Sequence, residues 1–558
     1  MRPLERRRPP PGHGPRWPLL GLIAAVIVLV IAAWFAFGDA ISGGGSDEPG
    51  QFTEAIVGAP SRVNPLFAYL NDTDQDLVAL VFSGLTRLSQ DGAVIPDLAE
   101  SWDVSADGRT VTFHLRQGVT FHTGAPFTSA DAVFTYSLLR DPALQGDPDQ
   151  APLWRQIHCS DPDPLTVVCE LPAPFAPFLA YASIGILPGV MLEGATAASI
   201  FDNAFNQSPV GTGPFRVAQL VDSHAVLKAH PAFHLGAPAI EEIELRFFAD
   251  ASSAAASVVR GDTDAILVDS ATGEAERGEI AGTSGLKTYS ANRTAYTALY
   301  LNGSEPPLND DAVRNAIAQA IDIESITGDI LGTLAARATT PMVPGTWAFN
   351  PDIPTYEHDD EDSRDTLDQA GWLLPEDSDV RVKNELPLAI TLLADRDPLR
   401  GALAERVAAD LREVGMEVTV ELQDSSSLIT DSLIPRDYQA AIFGWDQGFD
   451  PDPYPAWHSS QSGGNGRNLA EYQSEDADAL MEEGRKTFDL DQRQSLYYSF
   501  QDIFHTDVPS VILYYPVYNY FVRETVDGVE LGTLFNTGSR FRNVHEWTLE
   551  DAPPIVIE

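Results

Sequence analysis

The chain has 558 residues, 44% of them hydrophobic, and carries 35 basic against 81 acidic side chains for a formal charge of −46. That length exceeds what one apolar core holds, so two or three lobes are expected. The acidity sets the chain against a nucleic-acid partner, since such a field repels phosphate backbones, and the apolar content sets it against disorder.

Residues 1–18 form a basic tail with Arg2, Arg6, Arg7, Arg8 and Arg16. Leu19 to Phe37 is an uncharged apolar run. As a helix it rises roughly 28 Å, close to the ~30 Å of a bilayer core. The arginines before it predict a cytoplasmic tail and an extracytoplasmic body tethered to the cell membrane by a single pass. A cleaved signal peptide is the rival reading, although the run is long for its apolar region. No cysteine follows the run to carry a lipid. Residues 38–50, rich in Gly and Ser, read as a flexible linker.

The body opens with an α/β unit over 51–95, in which Leu77, Leu80, Val81 and Leu85 share one side of a helix predicted over Leu77–Leu85. Val111–Arg116 alternates as a half-buried strand, and Asp107-Gly108 before it is a hairpin turn signal. Thr128 and Asp131 have capping-box spacing at a helix start. The only cysteines, Cys159 and Cys169, flank the turn sequence Ser160-Asp161-Pro162-Asp163-Pro164. Outside the cytoplasm this arrangement favours a disulfide, with two buried thiols as the other reading. Thr297–Asn302 reads as a strand and Asp310 as the start of a helix bearing Val313, Ile317, Ala320 and Ile321. Leu386–Leu393 reads as a strand. Leu399, Leu403, Val407, Leu411 and Val414 form a helix closed by Gly415. Met416–Leu422 and Ala440–Phe443 are further strands. This is a βαβ pattern and implies parallel pairing. A late helix (Leu496, Phe500, Ile503, Phe504) and a strand, Val511–Tyr515, follow.

Asn64-Pro65-Leu66, Phe82-Ser83-Gly84-Leu85, Pro96–Trp102, Phe113–Gly118, Phe121–Gly124, Pro126–Val133, Gly211–Phe215, Val313–Ala316, Ala370-Gly371-Trp372 and Gly444-Trp445 stand in one order along the chain. In that order and spacing the chain resembles the family 5 extracytoplasmic solute-binding proteins of ABC importers, whose ligands include peptides, nickel and oligosaccharides. The resemblance implies an α/β fold of the two-lobed periplasmic-binding-protein type II, with an extra inserted domain and here one transmembrane helix in front. Lobe I is expected from 51–95, 208–298 and 522–558, the inserted domain from 96–207, and lobe II from 299–521. Crossings between lobes are expected near Leu299–Asn302 and Tyr514–Phe521. The family's lipidated cysteine is replaced here by the apolar span.

The resemblance also implies an importer's binding component. It is a monomer without a cofactor that captures a peptide or oligopeptide and hands it to permease and ATPase subunits. The alternatives are an oligosaccharide receptor and a sensor or scaffold without an importer. Capture of a zwitterion needs an acid for its amine and a base for its carboxylate. In the family an acidic residue shortly after a Gly-Trp pair holds the amine. The stretch Gly444–Pro451 is about one residue shorter than the common form, so Asp446 and Asp450 compete for that role, with Trp445 stacking on the ligand or packing in the core. Arg396 is the candidate for the carboxylate. No metal pair stands among the histidines, and His224, His230 and His234 read as a solvated loop. Asp72-Thr73-Asp74-Gln75-Asp76 begins like a calcium loop but has Leu77 at the required glycine. H-E-x-x-H, G-x-S-x-G and P-loop patterns are absent, so no covalent chemistry is expected.

Overall fold

The strand Ser510–Arg523 joins the two halves of the molecule. It reads SVILYYPVYNYFVR and is buried over almost its whole length, as expected of a strand covered on both faces. The structure, a computed structural model, describes residues 50–550 apart from 271. The expected tail, membrane span and linker up to residue 49 lie outside the described residues. Among the described residues no helix is long and apolar enough to cross a membrane.

The first part of Ser510–Arg523 pairs antiparallel with Ala295–Leu301 and Ala335–Arg337. Its second part pairs antiparallel with Leu286–Asn292 and Ala265–Val268. One 12-stranded sheet results, with one end in each lobe. In the first lobe Gln51–Val57 lies parallel to both Glu242–Phe248 and Ala265–Val268. In the second, Ala389–Asp395 lies parallel to Glu417–Gln423 and to Ala440–Asp446. Pairing changes partners at Pro516, whose carbonyl accepts the Arg293 N–H at 2.9 Å. The chain therefore passes between lobes at Arg293–Thr294 and Pro516–Val517. Of the stretch Leu299–Asn302, expected near a crossing, Leu299–Leu301 ends the strand Ala295–Leu301, whose seven residues are all buried.

The segment inserted in the first lobe holds a four-stranded antiparallel sheet of Ala99–Val104, Thr110–Leu115, Thr166–Glu170 and His158–Asp163. Its Phe113 and Val167 belong to the same apolar cluster as Phe52 and Leu77, so it shares a core with the first lobe. Cys159 stands opposite Cys169 in the register, and the two are joined by a disulfide. Closing a loop of sequence separation 10 restricts the unfolded chain by about 2–3 kcal/mol. A Cys159→Ser, Cys169→Ser double variant is expected to lose that much stability in urea denaturation, with no further loss on adding reductant. An unchanged midpoint removes this role for the bond.

Local chemistry sets the element ends. The first long helix runs Asp72–Val81, earlier than expected, because Asn71 caps it by accepting the Thr73 N–H at 2.8 Å. Phe82 turns extended, and a Cβ on Gly84 would lie 2.4 Å from the Ser183 carbonyl, so Phe82–Leu85 runs against the inserted segment as extended chain. The Asp131 carboxylate accepts the Thr128 N–H at 2.9 Å and starts the helix Ser129–Arg140. Asp397 caps Pro398–Glu413, and Gly415 at φ +91° ends it. Leu386, read as the head of a strand, is in a separate short hairpin whose turn uses Asn384 and Glu385 at φ 54° and 67°. The strand proper is Ala389–Asp395. His230 is buried, and His234 is inside as well, with Nε2 2.5 Å from Asp97 Oδ1, so this pair is not the solvated loop expected. The loop closes on the first lobe because each imidazole has a polar partner there, His230 meeting the Gly213 carbonyl at 3.2 Å.

Deep in the first lobe Arg540 donates to Glu54 at 2.7 Å and to both oxygens of Asp76 at 2.6 and 2.9 Å. Burial pushes Glu54 up to about 7 from 4.5, against the pull of Arg540. The folded form thus holds a proton that the unfolded chain releases. The stability due to this group is complete below pH 4.5 and is lost as pH rises through 7. Glu54→Gln is expected to flatten the fall in melting temperature between those limits, and parallel curves for the two proteins count against the assignment.

Candidate functional site

The lobes meet along a seam that the second lobe's loop after Ala440–Asp446 enters. Across the seam Ala176 N–H donates to the Arg485 carbonyl at 2.7 Å and Trp347 N–H to the Asp91 carbonyl at 2.8 Å, while Arg467 pairs with Asp149. Gln447 N–H donates to the Thr294 carbonyl at 2.8 Å, which ties the loop to the crossing peptide.

Asp446 is the last residue of its strand and is exposed. Its Oδ2 meets Nη2 of Arg293 at 2.6 Å, and its Oδ1 accepts the Gly448 N–H at 2.9 Å. Arg293 sits on the crossing peptide, and its Nε is buried without a partner among the described residues. Tyr518, Asp446 and Asp72 surround it and favour its charge against the opposing effect of burial. Burial raises the Asp72 carboxyl, and its neighbours Asp76 and Asp269 push the same way. Tyr518 is pushed up to about 12 by burial. The crossing therefore sets Asp446 and Asp72 against one arginine, with Asp269 acting on Asp72. Two carboxylates beside one guanidinium favour a further cation.

Asp450 differs from Asp446. It is buried, and both of its oxygens are held by Arg493 at 2.6 and 2.7 Å. Asp452 is likewise paired, with Nε of Arg485 at 2.7 Å. Trp445 pairs with Tyr296 across the strands and packs with Phe443 against the cluster of Tyr296, Tyr300 and Trp457. Successive strand residues face opposite sides, so Trp445 and Asp446 do not share a face. Arg396 is largely exposed and pairs with Asp424 at 3.1 Å.

Sequence reading missed Arg400. Its Nη1 is buried and unpaired among the described residues. A Cβ on Gly444 would lie 3.2 Å from its Nη2, so the guanidinium covers the space that this glycine leaves open. Gly444 and Asp446 point to the same face, about 7 Å apart along the strand. The signal available was the Gly in the Gly-Trp pair, which marks a close approach but does not name what approaches. Among the described residues no group of His, Cys, Asp and Glu is placed to hold a metal ion.

Comparison with known proteins agrees with this architecture. The family model of bacterial extracellular solute-binding proteins, family 5 Middle, matches residues 93–467, more than half of the chain. The chain is 30% identical over 464 residues to the protein named "Probable di/tripeptide-binding protein 5" of Pseudomonas aeruginosa (strain UCBPP-PA14), covering 79% of this chain and 85% of that one. It is 26% identical over 520 residues to the oligopeptide-binding protein AppA of Bacillus subtilis (strain 168), covering 91% and 93%. The solved structure of NikZ from Campylobacter jejuni, in complex with Ni(L-His), superposes with a TM-score of 0.68 at 27% identity over 89% of this chain and 99% of that one. The chain belongs to the bacterial extracellular solute-binding proteins of family 5.

Proposed function

We propose that this protein is the substrate-binding component of an ABC importer and captures a short peptide at the lobe seam without altering it. The carrying observation is the acidic surplus at the crossing, with Asp446 exposed and Arg400 unpaired on the same strand face. Asp446 takes the ligand's ammonium and Arg400 its carboxylate, and the ~7 Å between their strand positions suits a zwitterion of very few residues. Arg293 is the internal cation that holds Asp446 until an ammonium replaces it. The ends of strands beside a crossing are where ligands of open α/β sheets bind. The peptide-binding relatives support the cargo class, and the importer partners follow from the same reading. The apolar run Leu19–Phe37 supports a membrane tether for a monomeric body outside the cytoplasm.

The test is thermal shift and calorimetry of the purified protein with di-, tri- and longer peptides, N-acetylated and C-amidated dipeptides, oligosaccharides, and nickel with histidine. Free dipeptides and tripeptides are expected to raise the melting temperature, and blocking either end is expected to remove most of the shift. A shift with oligosaccharide or nickel–histidine and none with peptides overturns the cargo class.

A further inference from the structure

The first lobe contains a cavity of about 190 Å³ next to the seam. Phe82, Phe233, Phe535 and Phe541 give it aromatic walls, and Arg87 and Arg542 both reach it. The two arginines stand out in a chain of such acidity because neither is ion-paired to a carboxylate among the described residues, Asp91 acting on Arg542 without contact. The Arg87 side chain makes no hydrogen bond or ion pair among the described residues, and its Nε is buried. Arg542 donates only to the carbonyls of Leu531 and Thr533, at 3.1 and 3.0 Å, with its guanidinium over the Phe535 ring at 5.5 Å. Burial first, and then the charge of Arg87, push Arg542 down to about 10 against the pull of Asp91, so the two cations disfavour one another. His545 also lines the cavity, and burial lowers its pKa, which favours the neutral ring. The acid in the wall, Asp97, is already engaged by His234 at 2.5 Å. Buried cations are ordinarily paired, and an unpaired one facing a cavity calls for an anion. The aromatic walls call for an apolar body attached to it.

We infer that this cavity is a binding site for a small organic carboxylate with an apolar body, held by Arg87 and Arg542 and distinct from the peptide site. A planar carboxylate meets guanidinium donors in fork geometry. Phe449 closes one wall and comes from the loop between Asp446 and Asp450, so the second lobe completes the site. An occupant therefore favours the arrangement in which that loop rests on the first lobe.

The probe is benzoate, with benzamide as its neutral isostere and sulfate as a bare anion, measured by calorimetry and thermal shift on the full-length protein. Benzoate is expected to bind at least about tenfold more tightly than benzamide and than sulfate. Arg87→Gln removes a side chain that holds nothing else in place. It is expected to keep the melting temperature of the unliganded protein while losing benzoate binding by at least about tenfold. Equal binding of benzoate and benzamide, equal binding of sulfate, or undiminished benzoate binding in R87Q overturns the inference. A dipeptide that binds the protein is expected to give the same affinity with and without saturating benzoate, or a tighter one with it. Competition between them merges the cavity with the peptide site and overturns the claim of a separate one. That experiment leaves the peptide reading itself standing, since it fails only if peptides do not bind at all.

Discussion

Arg540→Met is expected to lower the free energy of unfolding by about 3–5 kcal/mol, the usual consequence of stranding buried charges by removing their partner. Its side chain is 1% exposed and pairs with Glu54 and Asp76, which are themselves 0% and 4% exposed. Tyr520 adds a hydrogen bond to Glu54 at 2.9 Å. These four residues come from the first strand, the first helix, the strand shared between lobes and the C-terminal turn, so one guanidinium ties the ends of the chain to the crossing. The methionine leaves two carboxyls facing each other in a dry interior. Glu54 can relieve this by taking a proton, because burial already holds its pKa near neutrality. The penalty is therefore expected to be larger at pH 8 than at pH 5, and Glu54→Gln in the Arg540→Met background is expected to recover part of it at pH 8. Urea denaturation at the two pH values measures both effects. A loss below about 1 kcal/mol at pH 8 would show that this ion network is solvated in a way the burial does not indicate.

The aspartates flanking Phe449 are expected to behave in opposite ways. Asp450→Asn removes the one carboxylate bonded to buried Arg493, leaving it the charge of Asp452 and the Gly484 carbonyl and Tyr497 hydroxyl, which accept from it at 2.9 Å each. A stability loss of about 3 kcal/mol or more is expected. Asp446→Asn touches a half-exposed ion pair with Arg293 and is expected to change stability by about 0.5 kcal/mol or less. The same change is expected to weaken dipeptide binding about 10- to 100-fold, the effect of removing one desolvated charge pair from a small ligand. Arg400→Met is expected to match that loss for free dipeptides and to have little effect on C-amidated ones. A folded, fully stable Asp450→Asn protein that no longer binds would transfer the amine-binding role to Asp450.

Much of the fold could be read without coordinates because periodicity and capping are local. Leu403, Val407 and Leu411 point inward together because they repeat at helical spacing, and Gly415 stops that helix because only glycine enters the left-handed region freely. Thr128 and Asp131 mark a helix start through contacts three residues apart. The order of motifs was enough to indicate the family and its mixed α/β fold, since both depend on many weak signals along the whole chain. Roles that depend on long-range partners could not be read in this way. Asp446 and Asp450 are equivalent as letters, and only the arrival of Arg493 from a later helix separates a structural carboxylate from an exposed one. Arg396 and Arg400 are four residues apart, yet Arg396 precedes the helix and turns to Asp424, whereas Arg400 is in its first turn and lies over Gly444. The crossing at Arg293 was hidden because a strand buried on both faces has no alternation to show where one lobe ends. Sequence by itself determined which segments become helix or strand and where the apolar cores form, through interactions spanning a few residues. Tertiary structure alone decided which charges are neutralised and which stay available to a ligand, because a charge's role depends on what the rest of the chain brings within hydrogen-bonding distance.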